Sequence, residues 1–218
     1  MIWLKPFIHW GLLFIQIITA LLAIRCWSKS KTIAWKIFII VWIVTFFVET
    51  AGKIIGSYGI HNLWLYNFFY IVFFPGIVLL YTDVFINSRL RQLILTSALG
   101  LVIWGITYLL SGNQLVLNTY YITVASTIII FLALAYLVRL YLDKDIITPL
   151  RNDFYYWFSV SFIIYFAFNA VMLGMYTKII ESKNNWLPIF IFYASHIIIL
   201  VLHLCLWAGF RAALKWMK

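Results

Sequence analysis

The chain has 218 residues, of which 66% are apolar and 10% are charged, and its mean hydropathy is +1.02. So few charged residues cannot cover a water-soluble surface, and the composition therefore excludes a soluble globular protein and indicates lipid as the solvent. The net charge of +10 would favour nucleic acid only if the basic residues shared one solvated face, whereas here they lie between apolar segments. We therefore expect membrane lipid, and no nucleic acid, as a partner.

Seven apolar segments follow one another along the chain, and each is long enough to cross the hydrocarbon core, which takes roughly 20 helical residues. They predict an all-α membrane protein, a seven-transmembrane-helix bundle that forms a single domain over residues 1–218. The predicted spans are residues 6–24, 33–55, 62–85, 92–110, 115–142, 154–180 and 187–210.

The first three spans hold the most informative polar residues. The first contains His9 and is followed by Arg25, which does not suit the cleavage site of a signal peptide, so we expect a retained helix. In the second, Glu49 follows two tryptophans at intervals of seven residues and therefore shares a helix face with them. The third contains Asn67 and Tyr70, and a Pro-Gly pair in its middle predicts a bend.

The last four spans add polar residues at helical spacing. The fourth has a stripe of small residues that permits close helix contact, and the fifth ends in a charged, solvated connection. In the sixth, Tyr165 and Asn169 lie one turn apart, and in the seventh His196 and His203 lie seven residues apart, on one face.

Lysine and arginine are divided unequally between the two ends of the spans. Twelve of the 16 basic residues fall on one side and four on the other, and short cytoplasmic loops collect such residues. The bias predicts a multi-pass protein of the plasma (inner) membrane, with the N-terminus outside and the C-terminus cytoplasmic. Cys26 and Cys205 then lie toward the cytoplasm, where thiols stay reduced, so we expect no disulfide.

With this orientation, polar residues from several helices meet at one depth, in the outer half of the bundle. They predict a pocket for a small or lipid-like ligand, lined by Glu49, Asn67, Tyr70, Tyr165, Asn169 and His196. An ionisable residue inside a span is costly and by default indicates a functional site. The alternative for Glu49 is a structural pair with Lys53, four residues further on and in the favourable order.

A second alternative is a metal centre. His9, Glu49 and His196 come from three spans, and two histidines with a carboxylate form a known catalytic zinc set. No HExxH or HxxxH spacing is present, so a metal is not favoured. A bound metal ion would indicate a metal-dependent membrane hydrolase acting on lipid, with Glu49 as a metal ligand or as the general base for a metal-bound water.

Two known seven-helix classes have this predicted orientation, but each depends on residues that this chain lacks. Retinal proteins carry a Schiff-base lysine within helix seven, whereas Lys215 and Lys218 lie beyond the end of the predicted seventh span, residues 187–210. The seven-helix membrane hydrolases carry an HxxxH pair on the last helix. The likeness is therefore one of topology alone, and neither family is assigned.

The leading hypothesis is a ligand-binding protein with a sensor or accessory role, and no motif identifies a cofactor. Since no span is followed by a soluble output domain, a signal would pass to a protein partner at the basic cytoplasmic loops or at the C-terminal segment 210–218, which we expect to continue as a helix along the membrane surface. A transporter ranks third, because the Pro75-Gly76 pair has no counterpart in the later spans. Enzymatic and non-enzymatic hypotheses both stay open at this stage.

Overall fold

The structure, a computed structural model, describes residues 4–28, 31–85, 87–112, 116–142, 149–181 and 186–216. Within these ranges it contains seven α-helices, two short 3-10 turns and no β-strand. The helices are Leu4–Trp27 (α1), Ile33–Ser57 (α2), Leu63–Leu80 (α3), Ser88–Leu110 (α4), Thr119–Leu142 (α5), Phe154–Glu181 (α6) and Trp186–Trp216 (α7).

All seven helices are long and apolar enough to cross a membrane. The shortest, α3, has 18 residues, which at 1.5 Å per residue is about 27 Å, close to the hydrocarbon thickness. Large apolar side chains point outward from them: Trp10, Phe14 and Phe131 are 72%, 64% and 67% exposed. Such surfaces suit lipid and not water, so the fold indicates a multi-pass integral membrane protein.

The seven predicted spans each coincide with a helix, and the differences at their ends have local causes. The α4 helix begins at Ser88 rather than at residue 92, because Asn87 caps it by accepting from the Arg89 N–H at 3.0 Å. The α5 helix begins at Thr119 rather than at residue 115, because Asn118 accepts from the Tyr121 N–H at 3.0 Å. The α3 helix stops at Leu80, and a 3-10 turn over Tyr81–Asp83 replaces its predicted last turn.

The seventh helix continues past the predicted end of its span. It is helical to Trp216, which confirms that the C-terminal segment extends the helix. Ala212 and Ala213 in this extension are 3% and 0% exposed, and α7 packs against the 3-10 turn Leu150–Asn152. The extension is therefore held by protein on one side, while Arg211 and Lys215 are exposed on the other. Its position along the membrane surface stays a prediction.

The chain divides into two compact units. The terminal unit consists of Met1–Thr19 and Ile129–Lys218, and the central unit is Ala20–Ile128. The single domain expected over residues 1–218 stays a prediction.

The central unit is built on α3, which packs against α2 and against α4. Its largest fully buried side chains come from α2, α3, the turn after α3 and α4: Phe38, Ile39, Phe74, Ile77, Leu80, Tyr81 and Ile94. At the end of this core Thr32, the N-cap of α2, donates to Asp83 Oδ2. The cap therefore ties the start of α2 to the end of α3.

The terminal unit is built on the pairing of α6 with α7. Phe158, Phe162 and Phe166 follow one another at intervals of four residues and are 0–2% exposed, so they form one buried face of α6. On α7 the matching position is Gly209, where an added Cβ would lie 2.4 Å from the Phe158 ring. This glycine lets the two helices approach closely, as small residues do in membrane bundles.

Candidate functional site

Glu49 lies in the C-terminal half of α2, and its side chain is half-buried. The tryptophans that share its face, Trp35 and Trp42, are 4% and 3% exposed, and Trp42 packs edge-on against Phe73 of α3 at a centroid distance of 6.2 Å. By contrast, Phe47 on another face of α2 is 63% exposed. The face that carries Glu49 therefore packs inside the central unit.

A close approach of α2 and α3 brings a phenol to this carboxylate. Tyr66 Oη donates to Glu49 Oε2 at 3.4 Å, which is long for an O–H···O bond. The ring fits because residue 52 is glycine: an added Cβ there would lie 2.7 Å from Tyr66 Oη. Asn62 Nδ2 donates to the Gly52 carbonyl at 2.9 Å, so the start of α3 is tied to α2 beside the carboxylate.

Lys53 is the second group near Glu49. It lies one turn later on α2, is half-buried, and its ammonium group attracts the carboxylate. Two hypotheses for Glu49 therefore stay open, a structural pair with Lys53 and a ligand pocket. A carboxylate has about four lone-pair positions for donors, and among the described residues the Tyr66 hydroxyl is the one hydrogen-bond donor that reaches it. Glu49 thus keeps acceptor capacity for a further donor.

Asn67 is 5% exposed, and its amide connects two parts of the central unit. Its Nδ2 donates to the Val116 carbonyl at 2.8 Å, and its Oδ1 accepts from the Asn118 backbone N–H at 3.5 Å. Tyr108 Oη donates to the same Val116 carbonyl at 3.0 Å. The amide therefore fastens the connection before α5 to α3, and its role in ligand binding stays a prediction.

Tyr70 lies one turn after Tyr66 on α3. Their rings are 6.3 Å apart, and the Tyr70 ring is 5.4 Å from that of Phe74. The Tyr70 carbonyl accepts from Tyr121 Oη of α5 at 3.2 Å, which holds this turn in place. The two tyrosine rings form an aromatic surface beside the carboxylate.

The other three predicted pocket residues belong to the terminal unit. Asn169 Nδ2 donates to the Tyr165 carbonyl one turn earlier, at 3.0 Å. His196 Nδ1 lies 2.6 Å from the Phe192 carbonyl, and the two rings are 4.0 Å apart. These contacts lie within single helices, and the shared pocket stays a prediction.

The predicted metal set is only partly covered by the structure, since the side chain of His9 lies outside the described part. Among the described residues, no group of three or more His, Cys, Asp or Glu side chains could hold a metal ion. The set of His9, Glu49 and His196 stays a prediction.

No protein-family model, curated protein or solved structure matches this chain. Its function is therefore inferred from its own residues and their contacts. The candidate residue of the central unit is Glu49, and that of the terminal unit is a buried histidine, His203.

His203 lies in a polar cluster that the sequence did not predict. Thr19 Oγ1 is 2.8 Å from His203 Nδ1, and Trp207 Nε1 donates to Thr19 Oγ1 at 2.7 Å. Thr19 and His203 are 1% and 2% exposed. The spacing of its residues could have indicated this cluster. Gln16 and Thr19 lie three residues apart on α1, and His203 and Trp207 lie four residues apart on α7, so the members of each pair share a helix face.

An apolar groove of about 350 Å³ lies between α3 and α4. Two of its residues, Phe68 and Val72, are each 49% exposed, so the groove opens at the surface of the central unit. Its lining is entirely apolar: Phe68, Ile71, Val72, Ile106, Leu109 and Leu110. It suits a hydrocarbon chain rather than a polar head.

Proposed function

We propose that this chain is a non-enzymatic membrane protein that binds a small or lipid-like ligand through Glu49, in the outer half of the bundle, with a sensor or accessory role. The observation that supports this proposal most is the state of the carboxylate. It is half-buried within a span and, among the residues that the structure describes, accepts one long hydrogen bond, from Tyr66. A costly ionisable group whose acceptor positions are left for another donor is expected at a binding site.

The chemistry of the site selects the class of ligand. An ionised carboxylate only accepts hydrogen bonds, so the ligand must present an O–H or N–H donor. Lys53 already offsets the charge of Glu49, which favours a neutral donor head over a bare cation. The rings of Tyr66 and Tyr70, one turn apart on α3, offer an apolar wall for the rest of the ligand.

A sensor role needs a surface at which a protein partner receives the signal. The C-terminal end of α7 offers such a surface, because Arg211 and Lys215 are exposed while the alanines between them are buried. In the proposed orientation this end is cytoplasmic. The partner would therefore be a protein with an acidic surface on that side of the membrane.

Native mass spectrometry of the full chain in lipid nanodiscs tests the proposal. We expect a molecule with an O–H or N–H donor to remain bound to the wild type and to be lost from Glu49→Gln. The matched control is Asp83→Asn, which makes the same chemical change at the carboxylate bonded to Thr32. Equal occupancy in wild type and Glu49→Gln, or a wild type with no bound molecule, would overturn the proposal.

Metal analysis of the same samples separates this function from a hydrolase. If wild type carries one zinc ion per chain and Glu49→Gln carries none, the metal-dependent hydrolase replaces the ligand-binding function. A wild type without stoichiometric metal but with the bound molecule supports the present proposal.

A further inference from the structure

The terminal unit contains a buried polar cluster that the proposed function does not use. Three of its members are joined at Thr19 Oγ1, which lies 2.8 Å from His203 Nδ1, 2.7 Å from Trp207 Nε1 and 3.0 Å from the Ile15 carbonyl. Gln16, one turn before Thr19 on the same face of α1, is 8% exposed. Polar groups this deeply buried in a span are expected to be fully hydrogen-bonded.

Counting hydrogens around Thr19 assigns the protonation of His203. A hydroxyl donates one hydrogen and accepts two, the Trp207 indole only donates, and the Ile15 carbonyl only accepts. If Thr19 donated its one hydrogen to His203 Nδ1, no hydrogen would remain between Thr19 Oγ1 and the Ile15 carbonyl oxygen, which are 3.0 Å apart. Each contact has a hydrogen only if Thr19 donates to Ile15 and accepts from both Trp207 Nε1 and His203 Nδ1. The contacts therefore place a proton on His203 Nδ1.

Gln16 adds a buried acceptor to this face of α1. Its Oε1 is completely buried and has no hydrogen-bond partner in the described part of the chain. Three residues correspond to about 4.5 Å along a helix, so Gln16 lies close to the level of Thr19, whose hydroxyl contacts His203 directly. The Trp207 indole N–H and the Thr19 hydroxyl are both donated within the cluster, whereas Gln16 Oε1 is a buried acceptor without a donor among the described residues.

We propose that the terminal unit holds a buried water molecule that donates a hydrogen bond to Gln16 Oε1, beside the Nδ1-protonated His203. The chemistry supports a donor and excludes an anion or a carbonyl, which would bring a further acceptor. A water molecule is the smallest donor and bridges buried polar groups in many proteins. This site is separate from Glu49, which belongs to the other unit.

Solid-state NMR of the full chain in lipid bilayers, labelled with ¹⁵N in histidine and glutamine, tests both parts. We expect His203 to show a protonated Nδ1, with its signals identified by their loss in His203→Phe and their retention in Thr19→Ser, which keeps the hydroxyl. A protonated Nε2 with an unprotonated Nδ1 would overturn the assignment. We expect polarisation from water to reach the Gln16 side chain faster than the backbone amide of Phe162, which is 0% exposed. Equal rates would overturn the water site.

A stability measurement gives an independent result. Gln16→Met keeps the volume and removes the acceptor. If a water is bound to Gln16, the variant loses that bond and its melting temperature should fall by roughly 2–4 °C. If Oε1 has no donor, removing it relieves a buried unpaired group and the melting temperature should rise, which would contradict the proposal. Leu12→Met is the matched control, since Leu12 lies on the same helix and is also 8% exposed.

Discussion

The sharpest prediction separates a binding carboxylate from a structural ion pair on α2. The Glu49–Lys53 pair is spaced i, i+4 in the favourable order and contributes about 0.2–0.5 kcal/mol. The contact from Tyr66 is long, 3.4 Å, so it contributes less than the ~0.5–1.5 kcal/mol of a typical hydrogen bond. We therefore expect Glu49→Gln to lower the free energy of unfolding by less than about 2 kcal/mol.

The same substitution should affect ligand binding much more strongly. A hydrogen bond to a charged group contributes ~1.5–3 kcal/mol, so replacing the carboxylate by an amide should weaken the affinity for the co-purified ligand by roughly 10- to 100-fold. Tyr66→Phe is the control for the hydroxyl: it removes the donor next to Glu49 but keeps the ring packed over Gly52.

Unfolding of the single and double variants of Glu49→Gln and Lys53→Met, followed in mixed micelles, gives the coupling energy of the pair. We expect a coupling below about 1 kcal/mol, as for other pairs at this spacing. A coupling above about 2 kcal/mol, together with unchanged ligand occupancy in Glu49→Gln, would mean that the carboxylate serves Lys53 and that the binding hypothesis is wrong.

Three further predictions concern packing and topology. Gly209→Ala would place a Cβ 2.4 Å from the Phe158 ring and should destabilise the protein by about 1–3 kcal/mol. The control is Gly100→Ala, which has no atom within 4 Å of the added Cβ and should be neutral or stabilising. Equal effects of the two substitutions in unfolding experiments would contradict the close contact. Asn67→Ala should cost about 1–3 kcal/mol and speed hydrogen exchange in the connection before α5, and unchanged exchange would show that the amide does not hold it. A reporter fused after Lys218 should be active only in its cytoplasmic form, and activity on the outer side would reverse the predicted orientation.

Much of the fold could be predicted because its signals are local. The length of an apolar segment is compared with a fixed hydrocarbon thickness, so seven spans follow from the chain alone. Some helix ends followed as well, such as the start of α2 after Thr32 and the start of α6 at Phe154, whereas Asn87 starts α4 four residues before the predicted position. The face shared by Trp35, Trp42 and Glu49 was equally readable, because helical periodicity determines which residues lie together.

The residues against which each helix face packs could not be predicted in the same way. Periodicity places Glu49 on the face with Trp42, but the contact with Tyr66 depends on how closely α2 approaches α3 at Gly52. The sequence predicted Asn67 as a pocket residue, whereas its bonds to the connection before α5 depend on the path of the chain at Val116.

The sequence by itself determined that this protein has seven helices long and apolar enough to cross a membrane, and which polar residues share a face within several of them. Only the tertiary structure decided that Thr19 meets His203 and Trp207, residues more than 180 positions away, and that Gly209 receives the ring of Phe158. The physical reason is the solvent. Lipid is as apolar as the helix surfaces, so hydrophobicity places every helix in the membrane without selecting its neighbour, and the choice is left to steric fit and to hydrogen bonds between helices.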